Sequence, residues 1–140
     1  MDTIAPVSRH LSTHIDRPAA AVYAYASIPS NWPEWAHGLG SSMDEIDGQW
    51  ISDSTALGGR VAVAFTQKNE FGVLDHDVTL PSGEVIHNPV RVIRDGDGCE
   101  VVFTLRRRPG MSDADFERDA AAVSADLATL KRLTERTARG

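Results

Sequence analysis

The sequence predicts an α+β protein in which an antiparallel sheet covers one long C-terminal helix. Turn signals recur at near-regular spacing between residues 47 and 98, separated by short runs rich in Val, Ile, Thr and Phe, a pattern typical of a meander of strands. After residue 112, apolar residues recur at helical spacing and give the last segment one apolar face. Because a sheet with one apolar face has to cover it, we expect a curved seven-stranded sheet to wrap around this helix and to leave a cavity between them.

The first strand is predicted at residues 7–16, where apolar and polar side chains alternate with a period of two. Two short helices are expected to follow. Asp16 can cap the first of them, with Pro18 in its first turn, where a missing N–H has no partner to lose. The second is expected to begin near residue 30 and to end at Gly38.

Six further strands complete the predicted sheet, at residues 41–47, 50–55, 60–67, 72–80, 84–94 and 98–108. Pro89 lies inside the fifth of these and cannot donate to a neighbouring strand, so we expect a bulge or an unpaired position there. Ser112 is expected to cap the last helix, with Asp115 in a capping-box position. The apolar stripe of this helix is Phe116, Ala120, Val123, Leu127 and Leu130. The side chains expected to face water include Arg118, Asp119 and Asp126.

Composition and charge limit the possible functions. The chain has 140 residues, of which 41% are hydrophobic and 24% charged, so we expect one globular domain over residues 1–140. A formal net charge of -6 argues against nucleic acid as a partner, because phosphate binding needs clustered Lys and Arg. The single cysteine, Cys99, allows no disulfide within the chain and no thiolate metal site. Because the sequence has no apolar run of membrane-span or signal-peptide type, we expect a cytoplasmic protein. We expect no metal and no cofactor, and the sequence is compatible with a homo-oligomer.

His76 is the polar residue of greatest interest. Strand alternation places it on one face with Leu74 and Val78, while its two aspartate neighbours point to the other face. An apolar row with one imidazole is typical of a ligand cavity with a single polar anchor. A core histidine bonded to a backbone carbonyl gives the same pattern. In either case, loss of water is expected to lower the pKa of the imidazole.

His87 and Arg91 form a second polar group on either side of Pro89. A bulge at the proline would scramble the alternation, so the sequence does not say which face either side chain takes. A buried Arg91 would suit a carboxylate or an enolate oxygen. The alternative, and the more common arrangement, is a surface ion pair with an acid on a neighbouring strand.

Aromatic residues supply the other candidate ligand contacts. Trp32 and Trp35 lie in the second short helix and either stack on a planar ligand or fill the core. His37 adds a polar group beside them. Phe103 lies on the apolar face of the last strand.

The order of these elements resembles the helix-grip fold of the START-like superfamily, also called SRPBCC. Residues 16–23, Asp-Arg-Pro-Ala-Ala-Ala-Val-Tyr, resemble the superfamily's opening, in which a strand passes through proline into a helix with a Val-aromatic pair. Trp32 and Trp35 match the aromatic pair after the first helix, and the segment from Phe116 to Lys131 is similar to the C-terminal grip helix. The superfamily includes lipid carriers, pollen-allergen-like proteins, polyketide cyclases and aromatases, and its catalytic residues differ between branches.

The resemblance implies binding of a small hydrophobic molecule, lipid or polyketide-like, between the sheet and the C-terminal helix of one START-like domain. The expected ligand contacts are Trp32, Trp35, His37, Leu74, His76, Val78, His87 and Phe103. An alternative is a polyketide cyclase or dehydratase with His76 as general acid/base and Arg91 holding an oxyanion. A second alternative is a partner-binding protein whose cavity has collapsed.

Overall fold

A computed structural model describes residues 7–139, with side chains over residues 7–136. In chain order the elements are β1 (Ser8–Ile15), α1 (Ala19–Ala26), a 3-10 helix (Pro29–Glu34), β2 (Asp44–Ile46), β3 (Gln49–Ser54), β4 (Gly59–Phe65), β5 (His76–Thr79), β6 (Val85–Asn88), β7 (Val90–Asp95), β8 (Gly98–Arg106) and α2 (Asp113–Arg139). All strand pairs are antiparallel. The predicted α+β class, with antiparallel strands and a long C-terminal helix, is confirmed.

The described strands form two sheets, so the expectation of a single seven-stranded sheet is wrong. One sheet has the order β1-β8-β7 and the other β2-β3-β4-β5-β6. The predicted strand at residues 84–94 is divided into β6 and β7 at Pro89, which has no N–H to donate to a neighbouring strand. β6 pairs with β5 whereas β7 pairs with β8, so the chain passes from one sheet to the other at the proline.

Backbone hydrogen bonds nevertheless continue past Pro89. The Leu74 N–H donates to the carbonyl of Val90, and the Val92 N–H donates to the carbonyl of Gly72, each at 2.8 Å. The segment before β5 therefore stays beside β7, and the two sheets adjoin.

The helix starts differ in how they are capped. Pro18 occupies the N-cap of α1 without a side-chain hydrogen bond, so Asp16 is not the cap we expected. The Asp16 backbone N–H instead donates to the Glu135 carboxylate at 2.8 Å. The second short helix is a 3-10 turn that ends four residues earlier than Gly38. The predicted cap of α2 is confirmed, because the Ser112 hydroxyl oxygen accepts from the Asp115 N–H at 3.1 Å.

α2 packs against β1 and β8 through the apolar stripe predicted from the sequence. Leu127 and Leu130 are buried in the main core, while Phe116 and Ala120 form a smaller cluster with Leu105. Asp119 and Asp126, which we expected to face water, are half-buried on the side of α2 that faces the sheets.

None of the described helices is long and apolar enough to cross a membrane.

Candidate functional site

A cavity of about 380 Å³ lies between the sheets and α2. Its walls come from the segment around the 3-10 helix, from β5, β6 and β8, and from the first half of α2. The large apolar side chains that line it are Trp32, Trp35, Leu39, Leu57, Val78, Ile86, Phe103, Leu105, Met111, Val123 and Leu127. The volume falls within the roughly 300–1,000 Å³ typical of sites for small organic molecules.

His76 is the imidazole in this wall, 4% exposed, with its ring edge-on to Trp32 at a centroid distance of 4.7 Å. Its Nδ1 lies 3.2 Å from the carbonyl oxygen of Leu74, which can only accept, so Nδ1 carries the proton. Nε2 is then an acceptor, 3.4 Å from the side-chain amide nitrogen of Asn88. Burial lowers the pKa of His76 to about 4, so the ring is neutral at neutral pH.

Strand alternation in and before β5 accounts for this position. Leu74, His76 and Val78 are all buried, as their common face predicted, while Asp75 and Asp77 lie on the other side. His76 and Val78 line the cavity. Leu74 does not line it, contrary to expectation, and borders a separate small void together with Trp32 and Phe65.

The alternation of inward and outward side chains runs through Pro89 unbroken. Asn88 lines the cavity and Val90 is buried, whereas His87 and Arg91 are exposed. Pro89 alone separates β6 from β7 and keeps the alternation in phase, so it interrupts strand pairing without the bulge that would have scrambled the faces.

His87 and Arg91 therefore lie on the outer surface. Arg91 donates from Nε and a terminal nitrogen to both carboxylate oxygens of Asp75, at 2.9 and 2.7 Å, and this guanidinium holds the pKa of Asp75 below its usual value. His87 Nδ1 lies 2.5 Å from the Asp77 carboxylate. Neither side chain borders the cavity, where we expected a ligand contact from His87 and an oxyanion role for Arg91, and the surface ion pair weighed as the alternative is present.

The two tryptophans after α1 fill the core and line the cavity together. Trp32 and Trp35 are 2% and 1% exposed, with ring centroids 4.7 Å apart. Trp32 Nε1 donates to the carbonyl of Ala26 at 2.8 Å, which fixes its ring. Trp35 Nε1 is buried and has no hydrogen-bond partner within the described part of the chain. His37 is exposed, with Nε2 3.2 Å from the Glu34 carbonyl, and lies outside the cavity, contrary to expectation.

The segment after Trp35 forms one side of the cavity, and hydrogen bonds hold it to α2 and to the end of β3. The Gly38 N–H donates to the Asp126 carboxylate at 3.1 Å, and the Ser54 hydroxyl donates to the Gly38 carbonyl at 3.2 Å. At Gly40 a Cβ would lie 2.1 Å from the Ser52 hydroxyl oxygen, so only glycine allows this close approach to β3. Burial raises the pKa of Asp126 against the opposing effect of the Gly38 N–H.

Charged side chains line the exposed end of the cavity, and most are paired. Arg118 forms an ion pair with Asp115 at 2.8 Å, and Arg108 forms one with Glu84 at 2.8 Å. Burial raises the pKa of Asp119 in the same region. Because most of these charged groups already have an oppositely charged partner, the apolar interior is the feature that distinguishes the cavity from an ordinary surface cleft.

Within the described residues, no three His, Cys, Asp or Glu side chains are grouped so that they could hold a metal ion. The cavity instead offers hydrogen-bonding groups that the sequence analysis did not select. Asn88 could have been found, because it shares its parity with Ile86 and Val90. Asp126 could not, because helical periodicity shows which residues are apolar but not which polar neighbours border a cavity.

Comparisons with solved structures show the fold. A protein from Bacillus thuringiensis is 12% identical with a TM-score of 0.71, covering 91% of this chain and 98% of its own. A protein from Deinococcus radiodurans is 20% identical with a TM-score of 0.64, covering 94% and 98%. Ara h 8.0201 is 8% identical with a TM-score of 0.66, covering 93% and 98%. At these identities the likeness extends to the fold alone.

No curated protein matches the chain in sequence. The sequence profile of one family, described as polyketide cyclase / dehydrase and lipid transport, matches residues 7–136. This match covers nearly the whole chain and agrees with the α+β fold and with the cavity under α2. The chain belongs to the polyketide cyclase / dehydrase and lipid transport family, within the START-like (SRPBCC) superfamily.

Proposed function

We propose that this protein binds a small, largely apolar molecule in the cavity between its sheets and α2. The observation that carries the proposal is a cavity of about 380 Å³ whose interior wall is aromatic and aliphatic around one neutral imidazole, with charged side chains at its exposed end. Ligand sites commonly have this composition, since apolar surface supplies affinity and a few polar groups fix orientation. The family's description as including lipid transport supports the same function.

In this proposal His76 fixes the orientation of the ligand and is not the main source of its affinity. Nε2 faces the Asn88 amide, so a ligand hydroxyl that displaces this contact can donate to Nε2, and the freed Asn88 amide can donate to a second ligand oxygen. Phe103 and Val78 border the same pair and would cover the apolar body of the ligand. Affinity then comes mainly from apolar surface removed from water, at about 25 cal/mol per Å².

A cyclase or dehydratase reaction is the second candidate, and the convergence of His76 and Asn88 on one cavity wall favours it. Two observations make it the weaker one. A general base works best with a pKa near the operating pH, and the pKa of His76 is about 4. Arg91, the expected oxyanion partner, is on the outer surface beside Asp75. A partner-binding protein with a collapsed cavity does not agree with the open volume.

A pair of helix variants tests the proposal. Ala122 and Ala121 are adjacent exposed alanines on α2, but only Ala122 lines the cavity. We expect N-phenyl-1-naphthylamine, a neutral apolar probe, to gain fluorescence with the wild-type protein. Ala122→Trp should weaken this binding by about tenfold or more, because the indole occupies the probe's space, and Ala121→Trp should leave it unchanged. Equal effects of the two variants, or no saturable binding to the wild type, would contradict the proposal.

A further inference from the structure

Asp119 is a carboxyl group at the cavity to which no residue in the described part of the chain donates a hydrogen bond. It lies on the side of α2 that borders the cavity, four residues after Asp115 and four before Val123, and both of these line the same volume. Its side chain is half-buried, and burial raises the pKa of its carboxyl. Arg108 and Arg118 act on it only as nearby charges. A carboxylate that has lost hydration without gaining a donor is unfavourable, and a bound ligand can supply that donor.

The two arginines near Asp119 already have carboxylate partners of their own. Arg118 forms its ion pair with Asp115 and Arg108 forms its ion pair with Glu84, each at 2.8 Å. The acceptor oxygens of Asp119 are therefore left for a group that enters the cavity.

The other acceptors that face the cavity are in contact with a donor. Asp126 accepts from the Gly38 N–H at 3.1 Å, and His76 Nε2 lies 3.4 Å from the Asn88 amide nitrogen. A carboxylate also forms stronger hydrogen bonds than a neutral group such as this imidazole. A donor on a ligand therefore gains most at Asp119.

We propose that Asp119 is a specificity-determining residue that selects ligands carrying a neutral hydroxyl, an alcohol or a phenol, at the exposed end of the cavity. The inference rests on the proposed function and adds to it the chemical class of the ligand. It describes a molecule whose apolar body lies in the interior of the cavity and whose hydroxyl donates to the Asp119 carboxylate.

The charges around Asp119 favour a neutral donor over a charged group. A ligand carboxylate would be repelled by Asp119 itself and by Asp126 on the same side of α2. A ligand ammonium would lose hydration and would meet Arg108 and Arg118, whose positive charges already act on this carboxyl. A hydroxyl avoids both costs and donates one charge-assisted hydrogen bond.

Two naphthalenes of nearly equal shape test this assignment. 2-Naphthalenemethanol has a hydroxyl where 2-ethylnaphthalene has a methyl group, so the ratio of their dissociation constants reports on the hydroxyl. We would measure both by displacement of N-phenyl-1-naphthylamine from the wild type, from Asp119→Ala and from Glu117→Ala. Glu117 is the matched control, because it is an exposed carboxylate on α2 that does not line the cavity, and its removal changes the net charge equally.

We expect Asp119→Ala to weaken binding of 2-naphthalenemethanol by about tenfold or more relative to 2-ethylnaphthalene, the usual effect of a hydrogen bond to a charged group. Space opened by the truncation acts on both compounds and cancels in the ratio. Glu117→Ala should leave the ratio at the wild-type value. An unchanged ratio in Asp119→Ala overturns the role of Asp119 while leaving the proposed function intact. Failure of the probe and of both naphthalenes to bind the wild type would instead contradict the proposed function itself.

Two charged analogues separate a hydroxyl from other polar groups at the same position. 2-Naphthylmethylamine carries an ammonium group and 2-naphthoate a carboxylate. We expect both to bind the wild type more weakly than 2-naphthalenemethanol, and Asp119→Ala to strengthen binding of 2-naphthoate because it removes a like charge. Tighter binding of either charged compound than of the alcohol to the wild type would overturn the assignment of a neutral hydroxyl.

Discussion

His76 shows how the surroundings of one side chain determine what it can do. Its ring is enclosed by Trp32 and Phe103, and its only close polar contacts are the Leu74 carbonyl and the Asn88 amide. The two aspartates next to it in sequence raise its pKa only slightly, because they lie on the other face of the strand. Desolvation dominates, so the imidazole stays neutral and serves as a hydrogen-bonding group.

This burial predicts a pH dependence of stability with a definite sign. The unfolded chain protonates His76 near its ordinary pKa of 6.5, whereas the folded protein resists protonation until a pKa of about 4. The unfolded state therefore binds more protons between these values, and the free energy of unfolding falls as pH decreases through this window, by about 3 kcal/mol in full. Above pH 6.5 His76 contributes no further change.

His76→Gln should remove that dependence while keeping a polar group at the site. In urea melts, the wild type should lose about 2 kcal/mol more than His76→Gln when the pH is lowered from about 7.5 to about 5. Carboxyl groups with shifted pKa values, such as Asp126 and Asp75, are present in both proteins and cancel in the difference. Equal losses in the two proteins would show that His76 is not buried as described.

At this scale the sequence predicted the facing of side chains better than their roles. Alternation placed His76 and Val78 on the inner face correctly. The same alternation also places His87 and Arg91 on the outer face, but the bulge expected at Pro89 left their facing open. A proline can interrupt a ladder with or without an inserted residue, and only the pairing partners distinguish these cases. Long-range pairing is what the sequence does not display.

Among the elements, α2 determines whether a cavity exists at all. Its stripe from Phe116 to Leu130 packs against β1 and β8, and its adjoining side, with Asp119, Ala122 and Asp126, borders the open volume. The helix thus closes the core along one line and leaves space beside it. Helical periodicity predicted the stripe, but the position of the space depends on how far the sheets stand from the helix.

Leu127→Ala tests the packing of α2. Leu127 is 2% exposed in the main core, so its truncation should lower the free energy of unfolding by about 2–5 kcal/mol, measured by urea denaturation. Ser124→Ala, at an exposed position of the same helix, should change it by about 0.5 kcal/mol or less. A loss for Leu127→Ala as small as that for Ser124→Ala would mean that α2 does not lie on the sheets.

For the whole molecule, the class of fold and the family followed from the order of elements and from a few motifs, and both are confirmed. The division into two sheets did not follow, because it depends on which partners β6 and β7 take on either side of Pro89. The cavity was expected in general, but its polar groups were only partly foreseen. The sequence did not indicate Asn88, Asp126 or the unpaired Trp35 N–H, because their importance depends on which residues are neighbours in three dimensions.

Large apolar side chains are also exposed outside the cavity, and they offer an apolar probe a second place to bind. Phe71 is 83% exposed and Ile93 50% exposed, both outside the cavity, and an apolar probe could attach to them without any specific site. Phe103 and Ile86, in contrast, line the cavity. The location of a bound probe therefore separates a ligand site from surface adhesion.

Intermolecular NMR contacts between N-phenyl-1-naphthylamine and the protein test the central claim most directly. We expect nuclear Overhauser effects from the probe to Phe103, Ile86 and Val123, because these side chains line the cavity between the sheets and α2. Contacts confined to Phe71 and Ile93 would place the probe on the outer surface and contradict the assignment of this protein as a binder of small apolar molecules.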